Sequence, residues 1–293
     1  MLPEELIQKV KKIEIKTRKM VNDVLTGEYR SQFKGQGIQF SEHRVYSPGD
    51  DVRHIDWKAS ARSKEPLLKQ FIEEREVSVL LVVDVSGSSF FGSSEKLKSE
   101  VIAEIAGMLA YAATHTGDKV GAILFAGGIE KMIPLKKGRH HVLRIIRDLL
   151  EFRPKTKGTH LSEALDSAGR LLKHSSVVFV LSDFVADDFD VPIKRLSRKH
   201  DVIAIKIVDQ KEESATGHGL FLVVDPETNE KFYLNTDSYD FKNWMKSFKD
   251  DYQKTSYKTL KESKVELLEI KTQEDYGEAV VRYFHKRNKK INN

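Results

Sequence analysis

The chain contains no cysteine. Disulfide stapling, thiol nucleophiles and cysteine-held metal sites are thereby excluded, and a cytoplasmic setting is the natural expectation. No apolar run approaches the roughly 18 residues that a membrane-crossing helix needs. The opening Met1-Leu-Pro-Glu-Glu5 has neither the basic start nor the apolar stretch of a signal peptide. Charge of one sign is nearly absent as a net quantity: 49 basic residues against 44 acidic ones leave only +5, a weak excess for a dedicated nucleic-acid binder. Several catalytic signatures are missing as well. There is no Gly-x-Ser-x-Gly elbow, no Walker phosphate loop, no Gly-x-Gly-x-x-Gly fingerprint and no His-Glu-x-x-His pair. No internal repeat or low-complexity tract is present.

What remains is 293 residues, 40% hydrophobic and 32% charged, which describes a globular protein with a heavily charged surface and ample material for a core. Residues 3–25 place Leu6, Ile7, Val10, Ile13, Thr17, Met20, Val21 and Val24 three and four apart. This predicts an amphipathic helix opened by Pro3 and closed by Gly27, packed on its own domain rather than lying on a membrane. Residues 27–66 show no sustained period but hold Phe33, Phe40, Tyr46 and Trp57, so an ordered, irregular segment is expected there. From residue 67 strand and helix patterns alternate. Strands are predicted near 67–72, 77–84, 119–125, 129–134, 177–182, 202–208 and 265–271, and helices near 94–115, 139–152, 161–173, 190–199, 239–262 and 274–287. The expectation is an α/β domain over 77–293 built on a mostly parallel sheet with helices on both faces, preceded by a helix and signature segment over 1–76. Val77–Val83 is apolar on both alternate faces, which puts it in the middle of the sheet. Gly127-Gly128 is too short for a parallel crossover, so Ile129–Leu135 should return as an antiparallel edge strand that tolerates Pro134. Residues 221–224 and 231–234 read as a second hairpin.

The densest chemistry lies where the strand Val77–Val83 runs out into Asp84-Val-Ser86-Gly-Ser88. One carboxylate and two hydroxyls leave one strand end, and all three are hard oxygen donors of the kind Mg²⁺ takes. Thr159 opens the helical pattern that starts at Leu161, and Ser182-Asp183 ends the apolar strand Val177–Leu181. A doubly wound sheet gathers ligands outside the carboxyl ends of its strands, so these pieces are able to converge on one ion. Ser, Gly and Asp also make ordinary turns.

Asp84, Ser86, Ser88, Thr159 and Asp183 together resemble the metal-ion-dependent adhesion site of von Willebrand factor A domains, with no ligand missing. That resemblance implies a von Willebrand factor A-like doubly wound sheet binding Mg²⁺ or Mn²⁺. A second signature precedes it. Gly35-x-Gly37, Phe40-Ser-Glu42, Arg44-x-Tyr46-x-Pro48-Gly49-Asp50-Asp51, Arg53-x-Ile55-Asp56-Trp57-Lys58-Ala-Ser-Ala-Arg62 and Phe71-x-Glu73-Glu74 are similar to the bacterial domain-of-unknown-function family fifty-eight. Gly117-Asp118, Gly121, Phe125 and Ser182-Asp183-Phe184 are similar to that family too, whereas Ser89 stands where many of its members have Met. The resemblance covers roughly residues 27–210 closely. It implies a non-catalytic, chaperone-like partner of MoxR-type AAA+ ATPases, in which the metal site takes a carboxylate from a client or partner, with peripheral association to membrane-bound von Willebrand-type proteins open.

Partner contacts are expected from Asp50, Asp51, Arg53, Asp56, Trp57, Lys58 and Arg62, and from Lys155 and Lys157 beside Thr159. The bland reading of the first group is a salt-bridged clamp with Trp57 as its apolar anchor. Lys155 and Lys157 end a basic stretch, 131–157, that also holds Lys131, Lys136, Lys137, Arg139, Arg144, Arg147 and Arg153 against only Asp148 and Glu151. A docking face for an acidic partner and a solvated helix face both fit it. Two alternatives stand beside the protein-binding reading. Asp51, Asp56 and Lys58 loosely match a Mg²⁺-dependent nuclease or phosphatase arrangement, and the basic stretch would serve nucleic acid, although no nucleic-acid partner is expected. Adjacent His140 and His141 diverge on a helix and read as surface residues rather than a metal pair.

Overall fold

The computed structural model describes residues 3–21, 38–63, 65–73, 77–90, 97–186, 188–209, 219–224 and 231–291. The chain divides into two compact units, one formed by Met1–Gln32 with Ser78–Asn293 and the other by Phe33–Val77.

The larger unit is organised by a six-stranded sheet. Its strands, in spatial order, are β10 (Glu266–Lys271), β7 (Asp201–Val208), β6 (Val177–Leu181), β3 (Ser78–Asp84), β4 (Lys119–Phe125) and β5 (Ile129–Lys136). Every neighbouring pair is parallel except β4 with β5. β3 is interior, and Val79 to Val83 are all fully buried, as a strand covered on both faces must be. The two faces fill separately because side chains alternate along each strand. On one face Leu80 and Val82 join Val178, Val180, Leu161, Leu165, Ile193 and Leu196, contributed by α5 (Leu161–Leu171) and α6 (Asp190–Ser197). On the other, Phe179 meets Phe284 of α8 (Tyr276–Ile291) edge-on at 6.3 Å.

α3 (Lys98–His115) is buried on all sides from Val101 to Ala113. A helix apolar all round belongs inside a domain, and its small residues let neighbours approach. A Cβ placed on Gly107 would lie 2.9 Å from Ile146 Cδ1 of α4 (Arg139–Glu151) and 3.4 Å from Ile13 Cγ2 of α1 (Pro3–Met20). α1 therefore packs on its own domain. Glu14 confirms this, accepting from Tyr111 Oη at 2.9 Å and pairing with Arg139 at short range. Ile7, expected on the packed face, is instead 53% exposed. His141, expected at the surface, is buried with Nε2 2.9 Å from the Val120 carbonyl, while His140 is exposed. β8 (Leu220–Val224) and β9 (Lys231–Asn235) form the expected antiparallel hairpin, followed by α7 (Tyr239–Glu262).

The smaller unit corrects one expectation. The stretch taken as irregular holds β1 (Ile38–Val45), which pairs antiparallel with β2 (Leu67–Glu73) in a sheet of their own. A register shift between Phe40 and Glu42 breaks the period-two pattern, which hides the strand in the sequence.

A candidate metal-type crevice at the carboxyl end of the sheet

β3 delivers Asp84 as its last residue, and Val85 N still donates to Phe125 O at 2.9 Å before the chain turns. The turn is a short 3₁₀ segment, Gly87–Phe90. Asp84 is 1% exposed. Its Oδ1 accepts from Ser86 N at 2.9 Å and its Oδ2 accepts from Ser182 Oγ at 2.8 Å. Ser86 Oγ and Ser88 Oγ lie 3.1 Å apart, and Ser89 Oγ donates to the Asp84 carbonyl at 3.2 Å. The serine-rich loop is thus folded around a buried carboxylate.

The second piece comes from β6, adjacent to β3 in the sheet. Ser182 Oγ, besides serving Asp84, accepts from Phe184 N at 3.1 Å. Asp183 Oδ1 accepts from Val185 N at 3.1 Å. Phe184 is a buried non-glycine residue at φ 58°, a conformation that costs energy and persists only when its surroundings enforce it. Its carbonyl accepts from Ser256 Oγ of α7 at 2.8 Å, which helps to lock the turn. Asp183 is close enough for its charge to matter. Burial first, and the Asp183 carboxylate second, push the Asp84 pKa well above the usual carboxylate range. Among the described residues no lysine, arginine or histidine pairs with either carboxylate. Nor do three His, Asp or Glu side chains gather into a metal-type cluster among those residues. The donor set here is two carboxylates with hydroxyls.

The third piece, Thr159, is half-buried and lies just before α5. His160 N donates to Ala126 O at 2.7 Å, tying this loop to the end of β4. Gly127 permits that approach, since a Cβ there would sit 1.9 Å from Lys157 O. β6, β3 and β4 are consecutive in the sheet. The Asp84 and Asp183 loops therefore leave the carboxyl ends of β3 and β6, the α4–α5 loop lies against the end of β4, and Asp84, Ser86, Ser88, Thr159 and Asp183 share that end of the sheet. Asp84 is linked directly to β6 through Ser182, and Thr159 is held there through Ala126. Reading the sequence missed the supporting residues Ser182 and Gly127. Ser182 had a signal, a hydroxyl immediately after a buried strand, but which way it pointed was a tertiary fact.

The acidic residues of the smaller unit are spent on local structure. Asp50 takes the Arg44 guanidinium with two bonds of 2.7 Å and Ser47 N at 2.9 Å, closing the Pro48-Gly49 turn. Those bonds, Arg44 first, hold its pKa down to about 2. Asp51 caps Val52–His54 by accepting from Arg53 N at 3.0 Å. Asp56 caps α2 (Trp57–Ser60), accepting from Lys58 N and Ala59 N at 3.1 Å, while its other oxygen lies 3.0 Å from His43 Nε2. The His43 contact, then the Ala59 amide, bring its pKa to about 2. Trp57 is not an anchor: its side chain is 70% exposed. Arg53, Lys58 and Arg62 are exposed with it.

The basic stretch is partly neutralised. Asp148, buried on α4, draws Lys131 and Arg147 to 2.8 Å and Arg144 to 3.7 Å. Burial alone would raise its pKa, but Lys131 and Arg147 outweigh it and the pKa is lowered. Lys155 and Lys157 are exposed, on a loop held by Glu130, which accepts from Lys155 N at 2.9 Å, Thr156 N at 2.7 Å and Thr156 Oγ1 at 2.6 Å.

A family model described as Protein of unknown function DUF58 matches residues 42–255. The chain belongs to that family. Among curated proteins, an uncharacterized protein of Mycobacterium tuberculosis is 25% identical over 97% of this chain and 90% of its own length. The uncharacterized protein YeaD of Bacillus subtilis is 33% identical over 36% of this chain and 24% of its own. Of solved structures, the conserved hypothetical protein BatB from Bacteroides thetaiotaomicron superposes with TM-score 0.50 and 15% identity, covering 73% of this chain and 99% of that one. The SpRpn10 VWA domain reaches 0.41 at 10% identity, over 70% and 94% of the two chains. The DUF58 chain thus carries an α/β fold built on a mostly parallel six-stranded sheet, similar to that of BatB. Among its described residues no helix is long and apolar enough to cross a membrane.

Proposed function

We propose that the carboxyl-end crevice of this DUF58 chain is a metal-ion-dependent protein-binding site. Asp84 and Asp183, with the hydroxyls of Ser86, Ser88 and Thr159, would hold Mg²⁺ or Mn²⁺. The single observation that carries this reading is a buried carboxylate beside a second one, with no cationic side chain paired to either among the described residues. Two like charges so placed call for a countercharge, and a divalent cation ringed by oxygens meets that need. When bound, the ion would supply an open coordination position for a partner's Asp or Glu side chain. The chain's own residues do the rest. Ser182 orients Asp84, the strained Phe184 turn aims Asp183, and Gly127 lets the Thr159 loop close on β4.

The partner is inferred to be acidic at its contact surface. Asp50 is held by Arg44 in a turn, Asp51 caps a turn and pairs with Arg53, and Asp56 caps α2. This leaves Trp57, Lys58 and Arg62, with the exposed Arg53, as the outward chemistry of the smaller unit. Exposed Trp and Arg are typical anchors of protein interfaces. Lys155 and Lys157 add positive charge on the loop that leads to Thr159. A MoxR-type AAA+ ATPase or its client, offering one carboxylate within an acidic patch, fits the ion together with Lys155 and Lys157. A Mg²⁺-dependent phosphoryl-transfer role is disfavoured, because Asp51 and Asp56 cap separate turns.

The test measures affinity for such an ATPase with wild type and Asp183→Ala, each with and without EDTA. Chelation and substitution should weaken binding equally and not additively, since both remove one bond. In parallel, Mn²⁺ at about a hundred times its dissociation constant should stabilise wild type by about 2.7 kcal/mol, and Asp84→Ala should lose that gain while staying folded. Unchanged affinity in all four conditions would refute the reading.

A further inference from the structure

A second concave feature lies at the opposite end of the sheet. His200 directly precedes β7, and Ser176 directly precedes β6, so this is the amino end of the parallel strands. There α5 and α6 diverge to leave a cavity of about 170 Å³. Its lining includes Asp166, Arg170, Arg195, Leu196, Lys199 and His200.

Two independent features distinguish it from an ordinary groove between helices. The first is charge. Three cationic side chains, Arg170, Arg195 and Lys199, face one carboxylate, Asp166. Arg195 Nη1 donates to Asp166 Oδ1 at 3.2 Å and Arg170 Nη2 to Ser167 Oγ at 2.8 Å. A guanidinium carries five donors, so both keep donors to offer. The second is His200 itself. It is 6% exposed, yet neither Nδ1 nor Nε2 has a hydrogen-bond partner among the described residues. The neighbouring His174 carbonyl already accepts from Ser176 Oγ at 2.7 Å. Burial first, and the Lys199 charge second, lower the His200 pKa, and the His174 carbonyl offsets only part of this. A buried imidazole held by no well-formed hydrogen bond is a weak point in the packing that a ligand beside it would stabilise.

We infer that this cavity is a binding site for a phosphate-type oxyanion. With His200 neutral, three cations against one carboxylate leave two unbalanced positive charges, which match a phosphate dianion. Two forked guanidiniums suit its geometry, and the buried His200 ring forms part of the wall. The site is separate from the metal-type crevice: it is built from the far ends of α5 and α6 and shares no residue with it.

The test uses the full chain in EDTA, with inorganic phosphate as the probe and sodium chloride of equal ionic strength as the reference. Phosphate should move the His200 ring resonances in a saturable titration, the signal being assigned by its loss in His200→Gln. It should also raise the melting temperature beyond the chloride reference. Arg170→Gln combined with Arg195→Gln, both at exposed positions, should weaken phosphate binding by roughly tenfold or more. Asp84→Ala should leave it unchanged, so this outcome is independent of the metal reading. A phosphate effect no larger than that of chloride overturns the inference. So does one that persists in the double variant, since general salting-out stabilisation would behave that way.

Discussion

Gly127→Ala is the sharpest probe of how the crevice is assembled. Gly127 is not among the glycines at positive φ, so an added methyl acts by volume rather than by backbone strain. The new Cβ would lie 1.9 Å from Lys157 O, 2.8 Å from its carbonyl carbon and 3.2 Å from its nitrogen. Ordinary contact begins near 3.4 Å, so the backbone at Lys157 must retreat by about 1.5 Å. No flexible side chain is available to absorb the clash. Overpacking of this kind costs about 1–3 kcal/mol, which for a domain of this size is a fall in melting temperature of roughly 2–12 °C. The displaced segment leads straight into Thr159, and the bond from His160 N to Ala126 O at 2.7 Å should lengthen or break. The expected signature is therefore double: a lower melting temperature by circular dichroism, and weaker Mn²⁺ binding by calorimetry. The Asp84–Ser182 bond should survive in a crystal structure of the variant. Gly138→Ala is the control. It sits at φ 99° with nothing within 4 Å, so it should cost stability through strain alone and leave Mn²⁺ affinity untouched. A Gly127→Ala protein that melts within about one degree of wild type and binds Mn²⁺ equally well would refute the steric argument.

Two further outcomes follow from other parts of the molecule. Asp50 and Asp56 have folded pKa values near 2, below the ordinary 3.8; their contribution to the smaller unit is complete above the ordinary value and is lost as pH falls through the folded one, so amide protection factors in residues 42–62, taken against intrinsic rates at each pH, should fall between pH 4 and about 2, and constant protection over that window would contradict it. Phe284→Ala empties a fully buried position packed on Phe179 and should cost about 3–5 kcal/mol in urea unfolding without altering Mn²⁺ affinity per folded molecule; a loss under 1 kcal/mol would mean that α8 is not a structural face of the sheet.

The sequence by itself determined the elements whose local pattern and tertiary surroundings agree. Val77–Val83 is apolar at every position but Ser78, which only a strand covered on both faces tolerates, and it lies in the interior of the sheet. The short link through Gly127-Gly128 forced an antiparallel edge, and β5 is that edge. The shared placement of the candidate metal donors was legible because Asp84 ends β3 with Ser86 and Ser88 just after it, Asp183 lies just past β6 and Thr159 just before α5, and parallel topology sends such positions to one end. Other features were decided only in three dimensions. β1 was hidden because a one-residue register shift erases its alternation, while its pairing with β2 depends on residues nearly thirty positions away. Trp57 reads from sequence either as an apolar anchor or as a partner contact, and the structure rejects the anchor: the caps made by Asp51 and Asp56 hold the segment without it and leave the indole in solvent. His141 was expected outside beside its neighbour, but helical periodicity turns it to the Val120 carbonyl. The role of Ser182, the closeness of Gly127 to Lys157 and the burial of the His200 ring depend on distances between segments remote in the chain. Local sequence records what each segment prefers, and only packing decides which groups meet.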